Sequence, residues 1–222
     1  MNILTFDIED WFHLINLSVC STETQWKDFE PRIHSNVYRL LETIERYDHK
    51  ATFFCLGWVA EQYPEIIRRI NDSGYEIGSH TYLHQLAYNQ SPQQFRKEVV
   101  RSIHVLEDIT GKKVRSFRAP GFSILYNMPW ALEILVELGI EFDSSIFLAR
   151  CKNGSFAHFN SAQPFIMDCG GLIIKEFPVN FGEIFGKKVI FSGGGYFRLL
   201  PYDFIQYLTN QSEYVIKVDP SR

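Results

Sequence analysis

Two histidines four residues apart, in Ser79-His80-Thr81-Tyr82-Leu83-His84, make up the segment of this chain best suited to hold a metal ion. Two imidazoles at this spacing face the same way if the chain between them makes one helical turn. Neutral imidazole suits zinc and other late first-row ions. One carboxylate beside them would complete a set that leaves a position open for water, as hydrolytic metal sites require. Asp7-Ile8-Glu9-Asp10 supplies acids for that purpose. Carboxylates folded together repel one another unless a cation or a basic group compensates. Arg118 could supply such compensation to one of them through a two-pronged contact. Each signal also has a plainer reading, a loop histidine pair and an acid-capped helix start.

Something must hold these residues in one place. Residues 3–6 and 51–54 read as strands, residues 37–44 and 59–70 as helices by their apolar spacing, and residues 75–78 as a third short strand. The segment that follows is the best punctuated. Ser91, Pro92 and Gln94 predict a capped helix start, Phe95, Val99, Ile103 and Leu106 its buried stripe, and Gly111 its end. Residues 114–117 then read as a strand, 128–138 as a helix closed by Gly139, and 140–142 as another strand. Alternating strands and helices predict a parallel sheet, open or closed into a barrel. Asp7, His80, Arg118 and Asp143 each fall just past a strand's C-terminal end, where (β/α) barrels gather their chemistry. Beyond Arg150 the pattern turns irregular, and Gly170-Gly171 and Gly193-Gly194-Gly195 suggest hairpins and tight turns.

The bulk composition narrows the function classes. A length of 222 residues suits one domain spanning residues 1–222, and a formal net charge of -4 gives no footprint for nucleic acid. No apolar run approaches the roughly 18 residues of a membrane span. Residues 2–6 enter a strand at once, with no tripartite signal, so a cytoplasmic location is expected. Cys20, Cys55, Cys151 and Cys169 are scattered and form no metal or redox motif. Nothing in the composition bears on oligomeric state.

Four segments together resemble the polysaccharide deacetylases with a NodB homology domain, carbohydrate esterase family 4. They are Thr5-Phe6-Asp7, Ala51-Thr52-Phe53-Phe54, the run from Gly74-Tyr75-Glu76-Ile77-Gly78 to His84, and Phe117-Arg118-Ala119-Pro120. Thr5-Phe6-Asp7-Ile8-Glu9-Asp10-Trp11-Phe12 and the stretch Gly193-Gly194-Gly195-Tyr196-Phe197-Arg198-Leu199-Leu200-Pro201-Tyr202 look like a narrower branch found with exopolysaccharide gene clusters. The resemblance implies a distorted (β/α) barrel and hydrolysis of N-acetyl groups on the amino sugars of a glycan. It implies a divalent metal, zinc first, with cobalt, nickel or manganese as alternatives. Asp7 would be the general base and His80 and His84 metal ligands. Thr81 would brace the loop between them, and Arg118 would orient Asp7. The backbone N–H of Gly121 would help stabilise the oxyanion. Trp11, Phe122 and Tyr196 are the aromatic residues expected to meet the sugar, with core packing the competing role for Trp11 and Phe122.

Three departures from the family's pattern set questions for the structure. The family's second aspartate is replaced by Ile8, so the acidic ligand is Asp10 or Glu9, with Asp10 slightly favoured for its short reach. Gly121 stands where the family has an aromatic residue, and Phe122 follows it. The strand expected over residues 214–218 leads to Asp219-Pro220 without the histidine that protonates the leaving amine in the family. His13 and His158 are substitutes by residue type only. Hydrolysis of a small ureide or imide, and a non-catalytic glycan-binding protein, are the alternative functions.

Overall fold

The computed structural model describes residues 2–14, 23–146, 163–184, 187–211 and 215–220. Five strands succeed one another in the parallel sheet: β1 (Asn2–Ile8), β2 (Ala51–Cys55), β3 (Glu76–Ser79), β4 (Ser116–Phe117) and β5 (Phe142–Asp143). An antiparallel hairpin, β6 (Phe165–Cys169) with β7 (Leu172–Glu176), extends the sheet at β5, and Gly170 and Gly171 make its turn with φ of 70° and 90°. A second hairpin, β8 (Phe181–Ile184) with β9 (Lys187–Ile190), stands apart. The strand β10 (Val215–Pro220) lies parallel to β1 on the sheet's other side, as the reading of residues 214–218 requires, although residue 214 is outside the described residues. The large sheet therefore runs β10-β1-β2-β3-β4-β5-β7-β6. This is the expected α/β arrangement of a distorted barrel, with no pairing of β6 to β10 among the described residues.

Helices pack against the strands and against one another. They are α1 (Glu23–Trp26), α2 (Ile33–Arg46), α3 (Gly57–Gln62), α4 (Pro64–Asp72), α5 (Pro92–Thr110) and α6 (Pro129–Glu137), followed by α7 (Gly194–Leu199) and α8 (Tyr202–Gln211). The helix α5 begins and ends as its sequence predicts. Ser91 and Gln94 exchange capping bonds, and Gly111 adopts φ 67° after the last turn. Its stripe of Phe95, Val99, Ile103 and Leu106 is buried, each such side chain contributing roughly 1.5–3 kcal/mol relative to exposure. No helix among the described residues is long and apolar enough to cross a membrane.

Two elements differ from expectation. The helix expected over residues 59–70 is two helices, α3 and α4, broken at Tyr63 (φ -132°, ψ 61°). Pro64 opens α4, and its ring pushes the preceding residue out of helical conformation. The glycine run is likewise no hairpin turn: Gly193, at φ 128°, precedes α7, and Gly194 and Gly195 form its first turn.

Side-chain alternation along β1 decides which residues reach the site. Phe6 and Ile8 enter the main core, whereas Thr5 and Asp7 point the other way, towards Arg118. On β3, Ser79 bonds Ser102 of α5, so His80 is delivered to the opposite face.

Candidate metal centre and active site

Glu9, His80 and His84 converge, each offering a ligand atom within 4.8 Å of the others, and all three are buried. The ring centroids of the histidines are 5.1 Å apart. His80 Nδ1 lies 2.7 Å from the Arg118 carbonyl, and His84 Nδ1 lies 2.9 Å from the His13 carbonyl. A carbonyl oxygen only accepts, so each Nδ1 carries the hydrogen and each Nε2 is left as a ligand atom. His84 Nε2 lies 2.8 Å from Glu9 Oε2. A neutral imidazole in that tautomer opposes its lone pair to the carboxylate, and a cation between them turns the opposition into coordination. Burial pushes the His80 imidazole down to about 4, with His84 adding to the effect and Asp7 opposing it. The ring is thus neutral at ordinary pH, the form that ligates a metal. The donor set fits a divalent ion.

The spacing of the two histidines works by a different geometry from the one expected. The chain between them is a tight loop, not a helical turn, with Thr81 at φ 65° and His84 at φ 57°. Such conformations cost about 1–3 kcal/mol each in non-glycine residues and persist where the surroundings enforce them. The enforcement comes from α3 and α5. Gly57 N donates to Thr81 O, Trp58 N donates to Tyr82 O, and Leu83 N donates to Glu98 Oε2. Thr81 braces the loop through its carbonyl; its buried hydroxyl has no partner among the described residues. Gly57 permits the approach, because a Cβ there would lie 2.6 Å from Tyr82 Cδ2 and 2.9 Å from Ser102 Cα.

Asp10, slightly favoured as the third ligand, is turned away from the histidines. Its Oδ1 accepts from Trp11 N at 2.8 Å, and its Oδ2 accepts from Arg32 N at 2.7 Å and Ile33 N at 3.0 Å. It therefore joins a single 3₁₀ turn, Trp11–His13, to the start of α2. The physical reason is alternation carried past the end of β1: Glu9 continues the face of Asp7, and Asp10 takes the other.

Asp7 meets Arg118, whose NH1 donates to Asp7 Oδ1 at 2.9 Å. The guanidinium is fully buried and fixed on every side. Its NH2 donates to Thr5 Oγ1 and Ser144 Oγ, its Nε donates to Ser144 O, and its centre lies 4.2 Å from the Phe54 ring. Gly121 follows in the turn Pro120–Phe122 at φ 58°. That turn's own bond runs from Phe122 N to Ala119 O and does not use the Gly121 N–H.

The expected aromatic residues separate. Phe122 is half-buried, 5.7 Å from the Arg118 guanidinium. Trp11 packs edge-on against Phe12 and Phe29 and donates its indole N–H to Glu30 O, the packing role. Tyr196 is 39% exposed on α7, and no hydrogen bond among the described residues ties it to the cluster. The His13 ring is buried among Phe12, Trp26 and Trp58 and accepts from Asp10 N, so His13 serves the site through its carbonyl. His158, Cys20 and Cys151 lie outside the described residues, and Cys55 and Cys169 are buried free thiols. In parallel register Phe6 faces Asp219 and Asp7 faces Pro220, which brings the end of β10 beside the strand that carries Asp7. Sequence reading missed Glu176. Glu176 ends a strand, and the strand-end rule that found Arg118 would have found it had β7 been recognised.

Comparison with known proteins agrees with this geometry. The polysaccharide deacetylase family model matches residues 4–142, and a domain of unknown function, DUF3473, matches residues 144–217. A peptidoglycan-N-acetylglucosamine deacetylase of Bacillus cereus is 33% identical over 96 residues, covering 43% of this chain and 35% of that protein. A peptidoglycan deacetylase of Helicobacter pylori is 31% identical over 110 residues, covering 49% and 36%. The chain thus spans about a third of the length of these relatives. In fold, it is similar to a Mycobacterium smegmatis protein provisionally named a polysaccharide deacetylase, with TM-score 0.72, 22% identity and coverage of 99% of this chain and 76% of that one. It is also similar to a family 4 carbohydrate esterase from Streptomyces lividans, with TM-score 0.58, 14% identity and coverage of 99% and 78%. With the motif residues gathered at one end of the sheet and the family model spanning most of the strands that carry them, this chain belongs to the polysaccharide deacetylase family.

Proposed function

We propose that the chain is a metal-dependent hydrolase that removes N-acetyl groups from the amino sugars of a polysaccharide or its precursor. The observation that carries this reading is the juxtaposition of Asp7, fixed by a buried arginine, with the cluster of Glu9, His80 and His84. Glu9 and the Nε2 atoms of both histidines would hold a divalent ion, zinc being the one this donor set suits best. Bound there, it would supply Lewis acidity to water and to the acetyl carbonyl.

The chain's own residues supply the rest. Asp7 takes the proton of the attacking water, and Arg118 keeps the carboxylate aimed at it. The N–H of Gly121 meets the oxygen on which negative charge develops, a contact stronger in the transition state than in the ground state. Phe122 offers an aromatic edge near the acetylated sugar. The relatives' names, both peptidoglycan deacetylases, support a glycan bearing N-acetylglucosamine as the substrate class.

The test is acetate release from N-acetylglucosamine oligomers and from peptidoglycan, with chelation and readdition of Zn²⁺ or Co²⁺. Release that chelator abolishes and metal restores is expected. Turnover of ureides but not glycans would move the activity to small-molecule C–N bonds. Metal bound without turnover of either would leave a glycan-binding role.

A further inference from the structure

Two more acids are buried behind the site. Asp143 closes β5 and Glu176 closes β7, and the parallel register sets them side by side at 1% and 0% exposure. One oxygen of each is accounted for. Asp143 Oδ1 accepts from Ser145 Oγ at 2.6 Å, and Glu176 Oε1 accepts from Ile146 N at 3.1 Å. The remaining oxygens, Asp143 Oδ2 and Glu176 Oε2, are buried and meet no N–H or hydroxyl donor among the described residues. The parallel register instead sets the two carboxyl groups beside each other, with no donor for either of these oxygens among the described residues. Two buried carboxylates side by side repel unless a proton lies between them, so the geometry calls for one of them to carry it. Burial drives both groups towards the protonated form, and the Asp143 charge drives Glu176 further.

The bonds around the pair lead to the base. Ser145 Oγ, which donates to Asp143, accepts the backbone N–H of Ala119 at 2.8 Å. Ser144 takes two bonds from the Arg118 guanidinium, and its own hydroxyl donates to Phe177 O at 2.8 Å. Phe177 N returns a bond to Asp143 O. Ser144 and Ser145 thus hold Arg118 and Ala119 on one side, while on the other Phe177 fixes Ser144, Asp143 fixes Ser145, and Glu176 holds the next residue, Ile146.

We propose that Asp143 and Glu176, sharing one proton, are positioning residues for the hydrolysis, holding the Ser144-Ser145 segment that orients Arg118 and, through it, Asp7. The proposal rests on the reading of Asp7 as the base. Both acids are buried against the Ser145-Ile146 backbone segment, so the effect belongs to kcat and leaves KM little changed. Asp143→Ala and Glu176→Ala remove the shared bond. Glu176→Gln replaces the shared proton by an amide N–H that donates to Asp143.

The experiment is side-chain NMR of the Arg118 Nε–H in the whole chain, read with kcat and KM on N-acetylglucosamine oligomers. The alanine variants are expected to lose the slow exchange of that N–H and to lower kcat on the order of 10- to 100-fold. Glu176→Gln is expected to recover most of both losses. A folded alanine variant with the Arg118 signal and kcat of the parent protein would overturn the proposal. If the alanine variants do not fold, the carboxyl ¹³C shifts of Asp143 and Glu176 in the parent protein decide: one proton on the pair at neutral pH as expected, or both groups ionised, which overturns it. The Arg118 signal needs no turnover. Full activity of Asp7→Asn would therefore sink the base assignment separately from the pair.

Discussion

His84 donates its Nδ1–H to the carbonyl of His13 at 2.9 Å, a contact between residues 71 positions apart. The bond aims one of the proposed metal ligands, and the position of its acceptor is set by Asp10. Asp10 and His13 bond each other twice through backbone and ring, while the Asp10 carboxylate anchors the same turn to α2. One short segment therefore supplies the proposed base, a proposed metal ligand and the carbonyl that orients another.

From this, Asp10 and Glu9 have opposite signatures when replaced. Asp10→Ala strands three backbone N–H groups, two of them at the start of α2, and should cost about 1–3 kcal/mol of stability. It should weaken zinc binding on the order of 10- to 100-fold, the usual effect of losing a group that orients a ligand. Glu9→Gln should abolish tight zinc binding, because it takes the carboxylate out of the cluster with His80 and His84. Zinc competition titrations and urea unfolding of each variant check this. Tight zinc binding by Glu9→Gln would return the ligand question to Asp10.

Gly57→Ala tests how the strained histidine loop is held. The added methyl would meet Tyr82 and the backbone of Ser102, both buried. Overpacking of this kind costs about 1–3 kcal/mol. Because Gly57 N also holds Thr81 O, zinc affinity should fall together with the unfolding midpoint. An unchanged midpoint would show that the loop gives way freely.

The shared proton of Asp143 and Glu176 makes stability depend on pH in a defined direction. Unfolded, both acids titrate at about 4, whereas burial raises both in the folded chain. The stability they lend is full below the unfolded value and is lost as pH rises through the raised one. Within that window the folded state holds about one proton more, so this pair lowers stability by about 1.4 kcal/mol per pH unit. Arg118 faces Glu176 and opposes the rise, and Cys169 lies near Asp143 with its thiol pushed up by burial. Urea unfolding at stepped pH checks the slope. Glu176→Gln should flatten it, and an identical slope in the variant would contradict the shared proton.

What could be read in the sequence divides along physical lines. His80, Arg118 and Asp7 stood out because each ends or follows a strand beside residues of matching chemistry. The helix α5 was legible because Ser91, Gln94 and Gly111 act locally, through caps that need no tertiary partner. The choice between Glu9 and Asp10 was not legible, because it depends on how far the alternation of β1 persists beyond Ile8. Glu176 was hidden for a related reason. β7 gains its identity from pairing with β5 and β6, and its exposed Leu172 and Ile173 give no helical or alternating signature. Gly194 and Gly195 misled because glycine reads as a turn, although here it opens a helix.

The central claim is that Asp7 performs proton transfer beside a metal it does not bind, and Asp7→Asn tests this most directly. The isosteric amide can still accept from Arg118 through its oxygen but cannot take a proton from water. Zinc content and acetate release from N-acetylglucosamine oligomers should be measured on the same sample. A full complement of zinc is expected, with acetate release lower by on the order of 100-fold or more. Acetate release at the parent rate, or loss of zinc, would contradict proton transfer by Asp7.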